Sequence, residues 1–276
     1  MKSFVSIIWR SVFLVSMLGG AFAVHAGGCT NIASLPATIS APGIYCLSND
    51  LVFTGFGVAI NVQADDVTLD FKGHEIRGTF IQNMVGVAAG TVSSVVVRNG
   101  KITNASTAVG IGRNGLVENM IINDVRTGIG VGGEYSVVRN NIITDVVPKF
   151  EAGSAGILVS SGCGHVVKNN TIKNFRQFQG SLSPSTYGNG IRVIGGCSVL
   201  IKNNSIYGTV VAGAGETAGI EDTSSGSLII GNVFGGFVTK NLKCASTTRY
   251  KDNISNSIYG LGLYNCPAGG DLGGNF

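Results

Sequence analysis

Apolar and polar residues alternate along most of the chain in runs of four or five positions, each closed by turn-forming residues, a pattern that predicts short strands and not helices. One phrase returns as Val138-Arg139-Asn140-Asn141-Ile142-Ile143, Val167-Lys168-Asn169-Asn170-Thr171-Ile172 and Ile201-Lys202-Asn203-Asn204-Ser205-Ile206, with looser copies near Ile102, Ile121 and Phe234. Between the copies a second phrase recurs: Gly128-Ile129-Gly130-Val131, Gly156-Ile157-Leu158-Val159, Gly190-Ile191-Arg192-Val193 and the more divergent Gly219-Ile220-Glu221-Asp222. A strand, a polar turn, a second strand and a return after roughly 20 to 30 residues describe one coil of a parallel β-solenoid. Each coil buries little alone, but stacking coils about 4.8 Å apart buries the inward Val, Ile and Phe and pairs the backbone between coils. The chain is therefore read as an all-β parallel solenoid of about eight or nine coils with small terminal caps.

In such a stack, residues at one repeat position form vertical rows. Asn140, Asn169 and Asn203 form one, with Asn141, Asn170 and Asn204 beside them, and rows of this kind are expected to hydrogen-bond along the axis and to accommodate tight turns. Cys163 and Cys197 stand at equivalent positions before two of these phrases, which brings their Cα atoms to about 4.8 Å, inside the disulfide range. A staple between them is favoured over two buried free thiols. Cys29 with Cys46, and Cys244 with Cys266, would clamp the two ends, where a coil lacks one neighbour.

The segment Ala64-Asp65-Asp66-Val67-Thr68-Leu69-Asp70-Phe71-Lys72-Gly73-His74-Glu75-Ile76-Arg77-Gly78, followed by the Asn-Asn-x-Ile phrases, resembles the right-handed parallel β-helix repeat proteins of the pectin-lyase-like superfamily. The resemblance spans about residues 35–260 and implies a right-handed solenoid. It implies no single activity, because that family includes lyases, hydrolases, epimerases and noncatalytic adhesins. The chain has neither the Asn-Thr-Asp and Arg-Ile-Lys phrases of polygalacturonases nor the calcium-binding aspartate cluster of pectate lyases. Four regions follow: a signal peptide over 1–26, an N-terminal cap and first coil over 27–63, the β-helix over 64–260 and a C-terminal tail over 261–276.

Composition narrows the picture. Of 276 residues, 44% are hydrophobic and 12% charged, against about a quarter charged in ordinary globular proteins, which excludes a disordered chain. The 42 glycines follow no collagen period and mark turns. Lys2 and Arg10, an apolar stretch from Ser11 to Val24 and small residues up to Ala26 read as an export signal cleaved after Ala26. The mature protein is expected in the periplasm or outside the cell, with no membrane anchor. Loss of Lys2 and Arg10 leaves the basic residues only two ahead of the acidic ones, and no basic run exists, so no nucleic-acid partner is expected. Six cysteines, all in the mature chain, suit an oxidising compartment. With His74 and His165 the only mature histidines and no metal-binding spacing, no metal and no cofactor is expected.

The unequal coil lengths point to a site. Extra residues between Ile143 and Gly156, Ile172 and Gly190, and Ile206 and Gly219 place three loops side by side on one edge of the rod. These carry Lys149, Glu151, Arg176, Gln177, Tyr187 and Glu216. If Ile157, Ile191 and Ile220 point inward, Leu158, Arg192 and Glu221 point outward and stack at the foot of the loops. Arg192 is then the candidate for binding a uronate carboxylate. Glu221 or Asp222, with Lys149 or Glu151, are candidates for proton transfer, and Arg176, Gln177, Tyr187 and Glu216 for substrate contact. The expected function is recognition of an acidic extracellular polysaccharide, with cleavage or modification as its catalytic form. The other reading is a noncatalytic glycan-binding or adhesive surface protein. Open sheet edges at both ends leave the oligomeric state undetermined.

Overall fold

The computed structural model describes residues 28–79, 84–147, 153–175, 188–209, 217–236, 240–256 and 264–276; the expected signal peptide, 1–26, lies outside them. Each strand pairs in parallel with its equivalent one coil further on, and three faces result. Face 1 includes Val67–Asp70, Val137–Arg139, Val166–Lys168, Leu200–Lys202, Leu228–Ile230 and Arg249–Lys251. Face 2 includes Glu75–Gly78, Ile142–Val146, Thr171–Phe175, Ser205–Gly208 and Val233–Gly236. Face 3 includes Met84–Ala89, Ser154–Val159, Gly188–Val193, Thr217–Asp222 and Lys240–Cys244. Two long strands, Val96–Ile111 and Leu116–Val131, bend through all three faces. At the N-terminal end Thr30–Ile32 pairs with Gly43–Leu47, and Ala37–Ile39 with Gly57–Val62.

The core is the set of inward rows. Val138, Val167, Ile201 and Ile229 fill it from face 1, Ile143, Ile172, Ile206 and Phe234 from face 2, and Ile129, Ile157, Ile191 and Ile220 from face 3, all buried. Each such side chain contributes about 1.5–3 kcal/mol by leaving water. The stack is continuous because every coil places the same residue class at the same height.

The two asparagines of each repeat phrase have different tasks. Asn140, Asn169 and Asn203 adopt left-handed backbone with φ between 55° and 58° and are exposed; this conformation makes the corner between faces 1 and 2, and Asn tolerates it better than most residues. Asn141, Asn170 and Asn204 are buried and form the ladder, continued by Asn232 and Asn253. Asn204 Nδ2 donates to Val167 O at 3.0 Å and to Asn232 Oδ1 at 2.9 Å. Its Oδ1 accepts from the backbone N–H and the Nδ2 of Asn170, at 2.9 and 3.0 Å. Thus the side chain bonding along the axis is the second of each pair.

Three disulfides close the framework: Cys29–Cys46, Cys163–Cys197 and Cys244–Cys266. The Cys163–Cys197 pair joins adjacent coils with Cα atoms 4.5 Å apart. His165 beside it is buried, with Nδ1 accepting from the Ser136 N–H and Nε2 donating to Ser161 O, so it serves as a structural bridge.

Near the N-terminal end, two carboxylates are tied into ladders between coils. Asp70 is met by Arg98 Nε at 2.9 Å and by the Lys72 N–H; Glu75 is met by Thr103 Oγ1, Arg77 and Lys101. Burial pushes both carboxyls upward, but these hydrogen bonds and neighbouring cations outweigh it and leave both below their ordinary values. A carboxyl lowered on folding stabilises fully above its unfolded pKa, and the contribution drains away as the pH falls through the folded value. Asp70→Asn is therefore expected to be less stable than the parent at pH 6, with the gap closing below about pH 4. Urea midpoints across that range check this, and a gap independent of pH would rule out the charged form as its source.

Candidate functional site

Face 3 carries the sequence-derived candidates at its C-terminal end. The outward column runs Leu158, Arg192, Glu221, Lys243 in strict register, because the isoleucine preceding each of the first three is fixed in the core. Glu221 is the centre of the cluster. Its Oε2 accepts from Arg192 Nε at 2.9 Å and from Asn189 Nδ2 at 3.0 Å, and its Oε1 accepts from Lys243 Nζ at 3.0 Å. The Glu221 side chain is 7% exposed, against 29% for Arg192 and 33% for Lys243, so the cations present their outer edges while the carboxylate lies between them. Lys240 stands on the same strand as Lys243, in register with Ala218. Among the described residues, Glu221 is the carboxylate that meets Arg192 and Lys243.

Asp222 is placed differently. As the next residue on the strand it turns to the opposite side of the sheet and is fully buried. Its Oδ1 accepts from the Ser224 backbone N–H and hydroxyl, and its Oδ2 from Thr248 Oγ1 at 2.7 Å. Hydrolysis of a glycosidic bond needs two carboxyl groups facing one substrate about 5–9.5 Å apart. Glu221 and Asp222 lie on opposite sides of one strand and do not make that arrangement. Lys149, Glu151, Arg176, Gln177, Tyr187 and Glu216 lie outside the described residues. Among the described residues no group of His, Cys, Asp or Glu could hold a metal ion, and no helix is long and apolar enough to cross a membrane.

Sequence reasoning brought Arg192 and Glu221 together but missed Asn189 and Lys243. Lys243 was hidden because its strand, Lys240–Cys244, has Asn241 where the recurring phrase has glycine. The signal available was the Leu242 spacing, one residue before Lys243, which repeats the Ile220–Glu221 step.

The family model described as "Right handed beta helix region" matches residues 42–206 and 115–269. No curated protein is matched in sequence. Among solved structures, the surface protein and adhesin PfbA of Streptococcus pneumoniae is similar at 13% identity and a TM-score of 0.50, over 83% of this chain and 70% of its own. The Dettilon tailspike protein is similar at 13% identity and a TM-score of 0.49, over 89% and 59%. The tailspike protein of E. coli bacteriophage HK620, solved in complex with a pentasaccharide, is similar at 12% identity and a TM-score of 0.43, over 87% and 58%. The chain thus spans less than two thirds of the length of either tailspike. At these identities the likeness is one of fold.

Proposed function

The chain belongs to the right-handed parallel β-helix family, and from that premise we propose that it is an exported protein that recognises an acidic glycan on face 3. The observation that carries this reading is the Arg192–Glu221–Lys243 column, in which a buried carboxylate fixes two partly exposed cationic side chains in register on one face. Glu221 holds both cationic heads in place, so little side-chain entropy remains to be lost when a ligand arrives. A uronate carboxylate meets charge-assisted donors on their outer edges, and such bonds are about twice as strong as neutral ones. Glu221 and Asp222, facing opposite sides of one strand, do not form a hydrolytic pair with each other. Export accords with the three disulfides, which persist in oxidising compartments.

The test is affinity of the purified chain for polygalacturonate and for neutral dextran, at low and high salt, with reducing ends and unsaturated uronate assayed in parallel. Retention on polygalacturonate that weakens with salt, and about tenfold weaker binding by Arg192→Ala or Lys243→Ala, is the expected result. Product formation that survives both substitutions, or equal retention on dextran, would refute the reading.

A further inference from the structure

Face 1 carries a second column of charge, on the side of the corner made by the left-handed asparagines. Its lower part alternates in sign: Asp70, Arg98, Glu118 and Arg139 follow one another in register. The opposite charges pair there, Arg98 Nε with Asp70 Oδ2 at 2.9 Å and Arg139 Nε with Glu118 Oε2 at 2.8 Å. Above Arg139 the alternation stops. Lys168 stands in register with Arg139 on one side and with Lys202 on the other, and neither lysine has an acidic partner among the described residues. Like-charged side chains directly opposite one another on strands about 4.8 Å apart are destabilising. The same column shows, two coils below, how the chain neutralises such a position when it does so. Beside the lysines the corner presents Asn169 and Asn203, both exposed, with no side-chain partner among the described residues.

We propose that Lys168 and Lys202, with the amides of Asn169 and Asn203, form a second anion-binding strip that takes a linear acidic polysaccharide lying along the coil axis. The lysines supply one cation per coil along the axis, and a chain of uronic acids running in the same direction carries a carboxylate on every sugar to meet them. The asparagine amides offer donors and acceptors to the hydroxyls between the carboxylates. The strip lies on a different face from the Arg192 cluster and stands or falls independently of it. Two isolated cations flanked by amides suit this sparse charge better than the dense phosphates of a nucleic acid.

This arrangement makes an unusual prediction: Lys168→Glu should stabilise the unliganded protein while weakening ligand binding. The new carboxylate would sit in register between Arg139 and Lys202, turn repulsion into attraction and raise Tm by about 2 °C. Affinity of the strip for hexagalacturonate, resolved by calorimetry as the binding that remains in the Lys243→Ala background and as a second set of sites in the wild type, should fall about tenfold. In the Lys168→Ala/Lys202→Ala double variant the salt dependence, as the slope of log K against log salt, should fall by about one for each lysine removed. Using both backgrounds separates the sites, because loss of face 3 binding alone leaves the effect of Lys168→Glu intact in the Lys243→Ala protein. Unchanged affinity in Lys168→Glu would overturn the proposal, as would a lower Tm, which would show that the lysines do not repel. Tighter binding of a single-stranded DNA oligonucleotide than of hexagalacturonate would overturn the ligand class.

Discussion

Asn204→Leu is expected to lower the stability of the stack by about 4 kcal/mol. The side chain is fully buried and is bonded at both ends. Without it, the Asn170 backbone N–H and side-chain N–H lose the acceptor Asn204 Oδ1, and Val167 O loses a donor. Stranding a buried polar group costs about 1–3 kcal/mol, because no water replaces the lost partner. Leucine is close in volume, so the loss would come from the ladder more than from a cavity. The neighbouring Asn203 provides the contrast: it sits at φ 55°, is exposed, and Asn203→Gly should be near neutral, since glycine adopts this conformation freely. Urea denaturation of the two variants checks the pair. A loss under about 1 kcal/mol for Asn204→Leu would mean that the ladder does not hold the coils together.

The second large effect is expected from Gly190→Ala, at about 3 kcal/mol of destabilisation. A methyl group there would lie 2.5 Å from Ile206 Cγ2 and 2.6 Å from Gly219 O. The first contact is with the core of face 2 and the second with the backbone of the next coil, and neither can withdraw without moving a coil. Gly128 and Gly156 are confined in the same way, each by the backbone of the next coil and an isoleucine of face 2. Gly130, two residues after Gly128 in the same phrase, is not: the nearest atom to an added methyl is Val109 O at 3.9 Å. Gly130→Ala is expected to leave stability unchanged or raise it by up to about 0.5 kcal/mol, through the narrower unfolded ensemble. Thermal melts of Gly190→Ala and Gly130→Ala would thus shift in opposite directions or differ by several degrees; equal shifts would refute the packing argument.

Much of this architecture is legible in the order of residues alone. The inward rows are readable because strand residues alternate between core and solvent with a period of two. The Cys163–Cys197 bridge and the adjacency of Arg192 and Glu221 follow from equal offsets within the repeat. What stays hidden is whatever depends on a broken repeat or on contact between coils. Lys243 is lost where Asn241 replaces glycine. Lys168 and Lys202 look like ordinary polar positions, since they become neighbours only once the coils stack.

The order of amino acids is enough to make this chain a stack: a short phrase recurring every few tens of residues has no other way to bury its apolar half. The choice between chemically similar neighbours is made only when the coils come together. Asn203 turns the corner while Asn204 is buried in the ladder, Gly128 is confined while Gly130 is open, and Glu221 meets two cations outside while Asp222 is enclosed among hydroxyls. The reason is geometric. The phrase sets the order of residues along one coil, but the left-handed corners redirect the chain, and the atoms that reward or forbid a side chain belong to the coils above and below, 20 or more residues away.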